Sequence, residues 1–215
     1  MKPQPFTGWP PEAFDWFREL ESKNNRDWFQ AHRQTYDNAV RGPLEWLLAE
    51  LYDEFGDGRI TRPNRDTRFT ADKSPYKTGI YAVVERGGGG GAWYVHLNRE
   101  GLFAGGGVYD PERQKLSATR SAIADNATGK QLESIIAGMS AAGLRLMEEG
   151  ALKTAPRGYP KDHPRVRLLR LQHLAAGIHH PPQEALHTPK AKELVVDAWR
   201  AVSPLLEWVA AVDRT

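Results

Sequence analysis

"IYAVVERGGGGGAWYVHLNREGLFAGGGVY", residues 80–109, is where the chain changes its period. Ile80, Ala82 and Val84 alternate with Tyr81, Val83 and Glu85, the pattern of a strand with one buried face. The glycine run 86–91 turns the chain, and Trp93, Val95 and Leu97 then alternate with Tyr94, His96 and Asn98. "NREG" (98–101) turns it again into "LFAGGGVY", so three short strands with tight connections form an antiparallel meander.

The flanks keep a helical period. Upstream, Pro10 and Pro11 open a segment with Phe14, Phe17 and Leu20 at helical spacing. Asn24 and Asn25 break it and cap a second helix, whose face carries Trp28, His32, Tyr36 and Val40. Gly42 and Pro43 are expected to interrupt that helix. Leu44, Leu47, Leu48, Leu51, Tyr52 and Phe55 carry the stripe on to Gly56 and Gly58. Downstream, Asp110-Pro111-Glu112 reads as an acidic N-cap with proline at the first helical position, starting a helix that ends near Asp125. Another follows from Lys130 to Met139. "LRLMEEG" (144–150) opens as a strand, and "HPRVRLLRLQHL" (163–174) reads equally as helix or strand. Ser203 and Pro204 are expected to divide two closing helices, "PKAKELVVDAWRAV" and "SPLLEWVAAV". Helices, antiparallel strands and helices again make a single α+β domain over residues 1–215.

With 40% hydrophobic residues and 26% charged, the composition is that of a folded globular chain. A net charge of +2 supplies no global field toward nucleic acid or membrane, so anion binding must come from local clustering. The lack of cysteine excludes disulfides, thiolate metal sites and a cysteine nucleophile. Neither a signal-peptide pattern nor a run of about 18 apolar residues occurs, and the expectation is a soluble cytoplasmic protein.

Between helices and strands lies "RPNRDTRFTADKSPYK" (62–77), with five basic side chains against Asp66 and Asp72. Pro63 disfavours a central strand. The stretch therefore reads as a short strand ending near Arg62 and then a turn-rich loop, a common home for binding residues. Guanidinium groups grip phosphate or carboxylate through paired hydrogen bonds, and lysine adds a mobile point charge. In this reading Arg65, Arg68 and Lys73 are the foremost anion ligands, with Arg62 and Lys77 in the same binding set, Asp66 and Asp72 orient arginines, and Tyr76 offers a hydroxyl or a stacking face. Arg120 and Lys153 complete the candidate ligand-binding set. The opposing reading is a loop stapled by Arg–Asp pairs, which expects every arginine to be paired internally. Binding expects at least two guanidinium groups converging on open space.

At this stretch the chain resembles an uncharacterised bacterial family, a domain of unknown function marked by the pattern RxxRDxRFxxDKxPY. Arg62, Arg65, Asp66, Arg68, Phe69, Asp72, Lys73, Pro75 and Tyr76 all match. The similarity extends to "NNRDWF" (24–29), "GGGVYDPE" (105–112), Arg120, "LKTAPRGYPKDHP" (152–164) and "PLLEW" (204–208), and departs from the pattern around residues 86–92. The resemblance implies a compact domain with no assigned activity.

Other templates are missing. "GGGVYDPE" fits neither a Walker A loop nor GxGxxG and reads as a tight turn for close helix–sheet packing. The seven histidines show no HExxH and no i, i+4 pair, so no metal is assigned. No nucleophile elbow appears and no general base is identifiable, which leaves reaction and cofactor open. The first-ranked function is a cytoplasmic protein with a basic pocket for a phosphate-bearing or other anionic small molecule. A structural or interaction domain with a stapled loop ranks next, and a nucleic-acid-binding module third.

Overall fold

The period-two stretches are strands in the computed structural model, which describes residues 4–68, 71–87 and 90–213. Six strands, β1 (Gly58–Ile60), β2 (Gly79–Glu85), β3 (Ala92–Asn98), β4 (Gly101–Val108), β5 (Arg145–Leu146) and β6 (Leu174–His180), form one antiparallel sheet in the order β1-β2-β3-β4-β6-β5. Gly58 pairs with Val84 and Ile60 with Ala82 at one edge, and Arg145 pairs with Gly177 at the other. The alternation has the expected sense: Ile80, Ala82, Val84, Val95 and Leu97 are buried, while Tyr81 and Glu85 are exposed. β6, spelled "LAAGIHH", has no alternation to announce it, because its first four residues are buried alike.

Among the described residues the α-helices are α1 (Pro11–Ser22), α2 (Arg26–Ala31), α3 (Arg33–Thr35), α4 (Gly42–Phe55), α5 (Arg113–Ala124), α6 (Asn126–Ala141), α7 (Val166–Leu169) and α8 (Lys190–Val212). Asn25 caps α2 by accepting from the Trp28 amide at 2.9 Å. Gly42 and Pro43 do not break the chain's helical course. A π-helical segment over Tyr36–Arg41 leads directly into α4, with the Gly42 amide reaching back to the Asp37 carbonyl. The register thus shifts at the residue before Pro43, which has no amide to place in the ladder.

Two expected boundaries are corrected. α5 begins at Arg113 rather than beside Asp110, with Glu112 extended (φ −55°, ψ 152°) ahead of it. Pro111 disfavours the helical region at Asp110, so the chain leaves β4 extended before it coils. The two closing helices are one, since Pro204 lies inside α8. An interior proline costs about 3 kcal/mol, yet α8 fully buries Trp199, Val202, Leu205 and Leu206. Each such side chain contributes roughly 1.5–3 kcal/mol, enough to carry the helix through.

The chain forms two compact units, Met1–Val84 with Tyr94–Ala104 and His179–Val196, and Glu85–Trp93 with Gly105–Ile178 and Asp197–Thr215. In the first, Trp9, Phe14, Phe17, Leu20, Leu44 and Leu47 form the core. The Trp9 amide donates to Leu186 O at 2.9 Å, and His187 Nδ1 donates to Trp9 O at 2.8 Å.

In the second unit the glycines of "GGG" lie within β4 rather than in a turn. A Cβ on Gly107 (φ +147°) would stand 2.3 Å from the Ala175 Cα, and one on Gly106 would stand 2.9 Å from Val202 of α8. Close packing of strand on strand and helix on strand requires the bare backbone. Two arginines then stitch helix ends reciprocally. Arg165, 6% exposed, donates to the carbonyls of Ile123 (2.6 Å), Ala124 and Asp125 at the end of α5. Arg120, on α5, donates to Leu169 O (3.0 Å), Leu171 O and Gln172 Oε1 at the end of α7. Both satisfy carbonyls that a helix terminus leaves without partners.

Arg165→Met is expected to lower unfolding free energy in urea by about 3 kcal/mol, since several buried carbonyls lose charged donors together. Gly129→Ala should act in the same direction, because its Cβ would stand 2.4 Å from Arg165 Nε. Unchanged urea midpoints in both variants would contradict the stitch.

Candidate functional site

Loop 62–77, in the first unit, is fixed from outside before its charges pair. Asn24, between α1 and α2, carries an NH2 donor group and a carbonyl acceptor on one side chain. Its Nδ2 donates to Tyr76 O at 2.9 Å and its Oδ1 accepts from Tyr76 N at 3.1 Å. The Tyr76 ring, 5% exposed, stacks on Phe29 of α2 with centroids 3.9 Å apart and planes at 12°. Two backbone bonds close the loop on itself, Arg65 N to Pro75 O at 2.8 Å and Lys77 N to Pro63 O at 2.9 Å. The isolated bridge between Asn64 and Tyr76 is the result.

Within that frame Arg65 and Arg68 each meet a carboxylate. Arg68 forks onto Asp66, with Nε 3.0 Å from Oδ1 and Nη2 2.6 Å from Oδ2. Arg65 pairs with Asp72, whose other oxygen accepts from the Ser74 amide and hydroxyl. The Arg68 hydrogen bonds hold Asp66 below the usual carboxylate pKa. Asp72 is lowered too, first by Ser74 and then by Arg65. Both pairs are solvent-exposed, and such pairs add little to stability while setting local geometry.

The remaining cations are placed differently. Lys73 Nζ donates to Thr67 O at 2.9 Å, and Lys77 Nζ to Arg62 O at 3.0 Å. Neither Arg62 nor Lys77 forms an ion pair with a carboxylate among the described residues. Burial pushes the Lys77 pKa down, and the charge of Arg62 pushes it the same way. The Lys77 ammonium lies 5.9 Å from the centre of the Tyr81 ring on β2. Tyr81 in turn stacks on His96 of β3, with centroids 4.1 Å apart and planes at 4°. Burial and then the charge of His179 lower the His96 pKa to about 4, so the imidazole is neutral at pH 7.

The other candidates belong to the second unit. Lys153 is exposed in a bend, and Arg120 is held by backbone carbonyls, its pKa lowered by burial. A small apolar crevice there, lined by Leu116, Ile123, Leu168 and Val209, also meets Arg120 and His173. His173 is 7% exposed, its Nε2 has no hydrogen-bond partner among the described residues, and its ring stacks on Tyr109. Phe69 of the sequence motif lies outside the described residues, as do Gly88 and Gly89 of the glycine run. Sequence reasoning missed the reach of Asn24 to Tyr76, and the Tyr81–His96 stack beside Lys77. Only the outward positions of Tyr81 and His96 in their strand patterns pointed to the latter.

Over residues 12–208 the chain matches the family of conserved hypothetical proteins DUF2461, and it belongs to that family. No curated protein and no solved structure matches it. Among the described residues no helix is long and apolar enough to cross a membrane.

Asn24→Ala is expected to cost about 2 kcal/mol, two partly buried hydrogen bonds being lost at once. That is a fall of about 4–8 °C in the thermal midpoint for a chain of this size. No change would show that the clamp is idle. The depressed pKa of His96 makes a second prediction. The unfolded chain binds a proton below about pH 6.5 that the folded chain refuses until about pH 4, so stability falls as pH drops through that window. The loss should be on the order of 2 kcal/mol between pH 7 and pH 4.5. His180, lowered by burial and by His179, adds in the same direction. His96→Phe should flatten the slope in urea titrations at the two pH values, and an unaltered slope would refute the assignment.

Proposed function

We propose that the protein binds a phosphate-bearing or other anionic small molecule at loop 62–77, through Arg62 and Lys77, with Lys73 as a further cation. The observation that carries this reading is the Lys77 ammonium, 3.0 Å from the backbone carbonyl of Arg62, with no carboxylate within ion-pair distance of either residue among the described residues. Arg62 also acts on Asp66, yet its charge still pushes the Lys77 pKa down, and a bound anion relieves that repulsion. Arg65 and Arg68 then serve by holding the loop's shape through Asp72 and Asp66. No side chain is assigned to catalysis, so the activity proposed is binding. The absence of cysteine fits a reducing compartment, here a bacterial cytoplasm.

The pairing of Arg65 and Arg68 favours a second reading, a structural or interaction domain whose stapled loop binds nothing. Thermal unfolding against inorganic phosphate, pyrophosphate, sugar phosphates and nucleotides separates the two. A ligand at one hundred times its Kd adds about 2.7 kcal/mol, about 5–10 °C here. The Arg62→Ala/Lys77→Ala variant should lose the rise and Arg68→Ala should keep it. A rise that survives in the double variant contradicts the assignment of residues. No rise with any anion supports the stapled domain.

A further inference from the structure

Large aromatic side chains stand exposed at Tyr52, Tyr81 and Tyr109. Tyr81, 38% exposed, has a cation beside its ring, the Lys77 ammonium at 5.9 Å from the centroid. Its own position is firmly set. One ring face rests on His96, with centroids 4.1 Å apart and planes within 4°. His96 is in turn hemmed in by the bare backbone of Gly79, where a Cβ would stand 2.3 Å from its Nε2. Arg65 acts electrostatically on the Tyr81 hydroxyl, opposing the rise in pKa that burial causes. A neutral imidazole behind the ring adds no charge of its own at pH 7.

A preset ring next to a lysine that Arg62 repels suits a ligand that joins a flat π-system to an anion. We infer that the anion bound here is a nucleoside phosphate, its base stacked on Tyr81 and its phosphate on Arg62 and Lys77. The inference rests on the anion-binding reading above and adds the ring to it. A cation over an exposed tyrosine is weakly held, so the flexible Lys77 side chain leaves the ring for the phosphate at little cost. The base then takes the ring face that the ammonium vacates. A nucleic-acid strand is the poorer fit, because strand binding uses successive aromatic platforms along a cationic groove. The chain's net charge of only +2 gives such a groove no wider support.

Isothermal titration of the full chain with AMP, ribose 5-phosphate and inorganic phosphate tests the inference. Base–aromatic stacking should make AMP bind about tenfold or more tighter than ribose 5-phosphate. Tyr81→Ala should erase that difference while leaving phosphate binding unchanged, and Tyr81→Phe, which keeps the ring, should restore it. Circular dichroism of each variant verifies folding. Equal affinity for AMP and ribose 5-phosphate, or a preference for AMP that survives in Tyr81→Ala, overturns the nucleoside assignment and leaves the anion site standing. Binding of none of the three overturns the anion site itself.

Discussion

The Asn24 carboxamide determines what the 62–77 loop is. It grips both backbone groups of Tyr76 from a position fifty-two residues away in sequence. The Tyr76 ring meanwhile lies flat on Phe29, four residues past the Asn25 cap. A turn-rich segment of charged residues would otherwise lose more conformational entropy on ordering than its exposed ion pairs return. With one strand-like residue anchored, the bonds from Arg65 to Pro75 and from Lys77 to Pro63 close at small further cost. The loop is thus a shelf built from the helical opening, continued into β2.

That shelf sorts its cations into two kinds. Arg65 and Arg68 meet carboxylates and shape the loop, whereas the Lys77 ammonium donates to the backbone carbonyl of Arg62. Since exposed ion pairs are screened by salt, the paired arginines act mainly as geometry. Beside the Lys77 ammonium the stacked Tyr81 and His96 form a rigid surface. Arginine plays the geometric part in the second unit too, where Arg120 and Arg165 each close the other's helix end.

What the sequence made legible follows from which forces are local. The period-two runs of β2 and β3 and the apolar stripe of α4 are local burial patterns, and they read correctly. β6, whose first four residues are all buried, and the continuous α8 did not, because "LAAGIHH" shows no regular alternation and Pro204 is outweighed by tertiary burial. The start of α5 was displaced by the backbone preference that Pro111 imposes on Asp110, an effect that competes with capping. The crowding of charge over 62–77 was plain, but partner choice among five cations and two carboxylates depends on loop closure. Asn24, the residue that closes it, read as a helix breaker and cap and as part of "NNRDWF", not as a partner of Tyr76.

Native-state hydrogen exchange at the amides of Arg65, Tyr76 and Lys77 tests the locked shelf most directly. Each of these amides donates a hydrogen bond, to Pro75 O, Asn24 Oδ1 and Pro63 O respectively. The account requires all three to exchange far more slowly than free peptide amides, and Tyr76 to lose that protection in Asn24→Ala. Exchange of all three at free-peptide rates in the unaltered chain would mean the loop is not held, and the site argued from its geometry would have no fixed form.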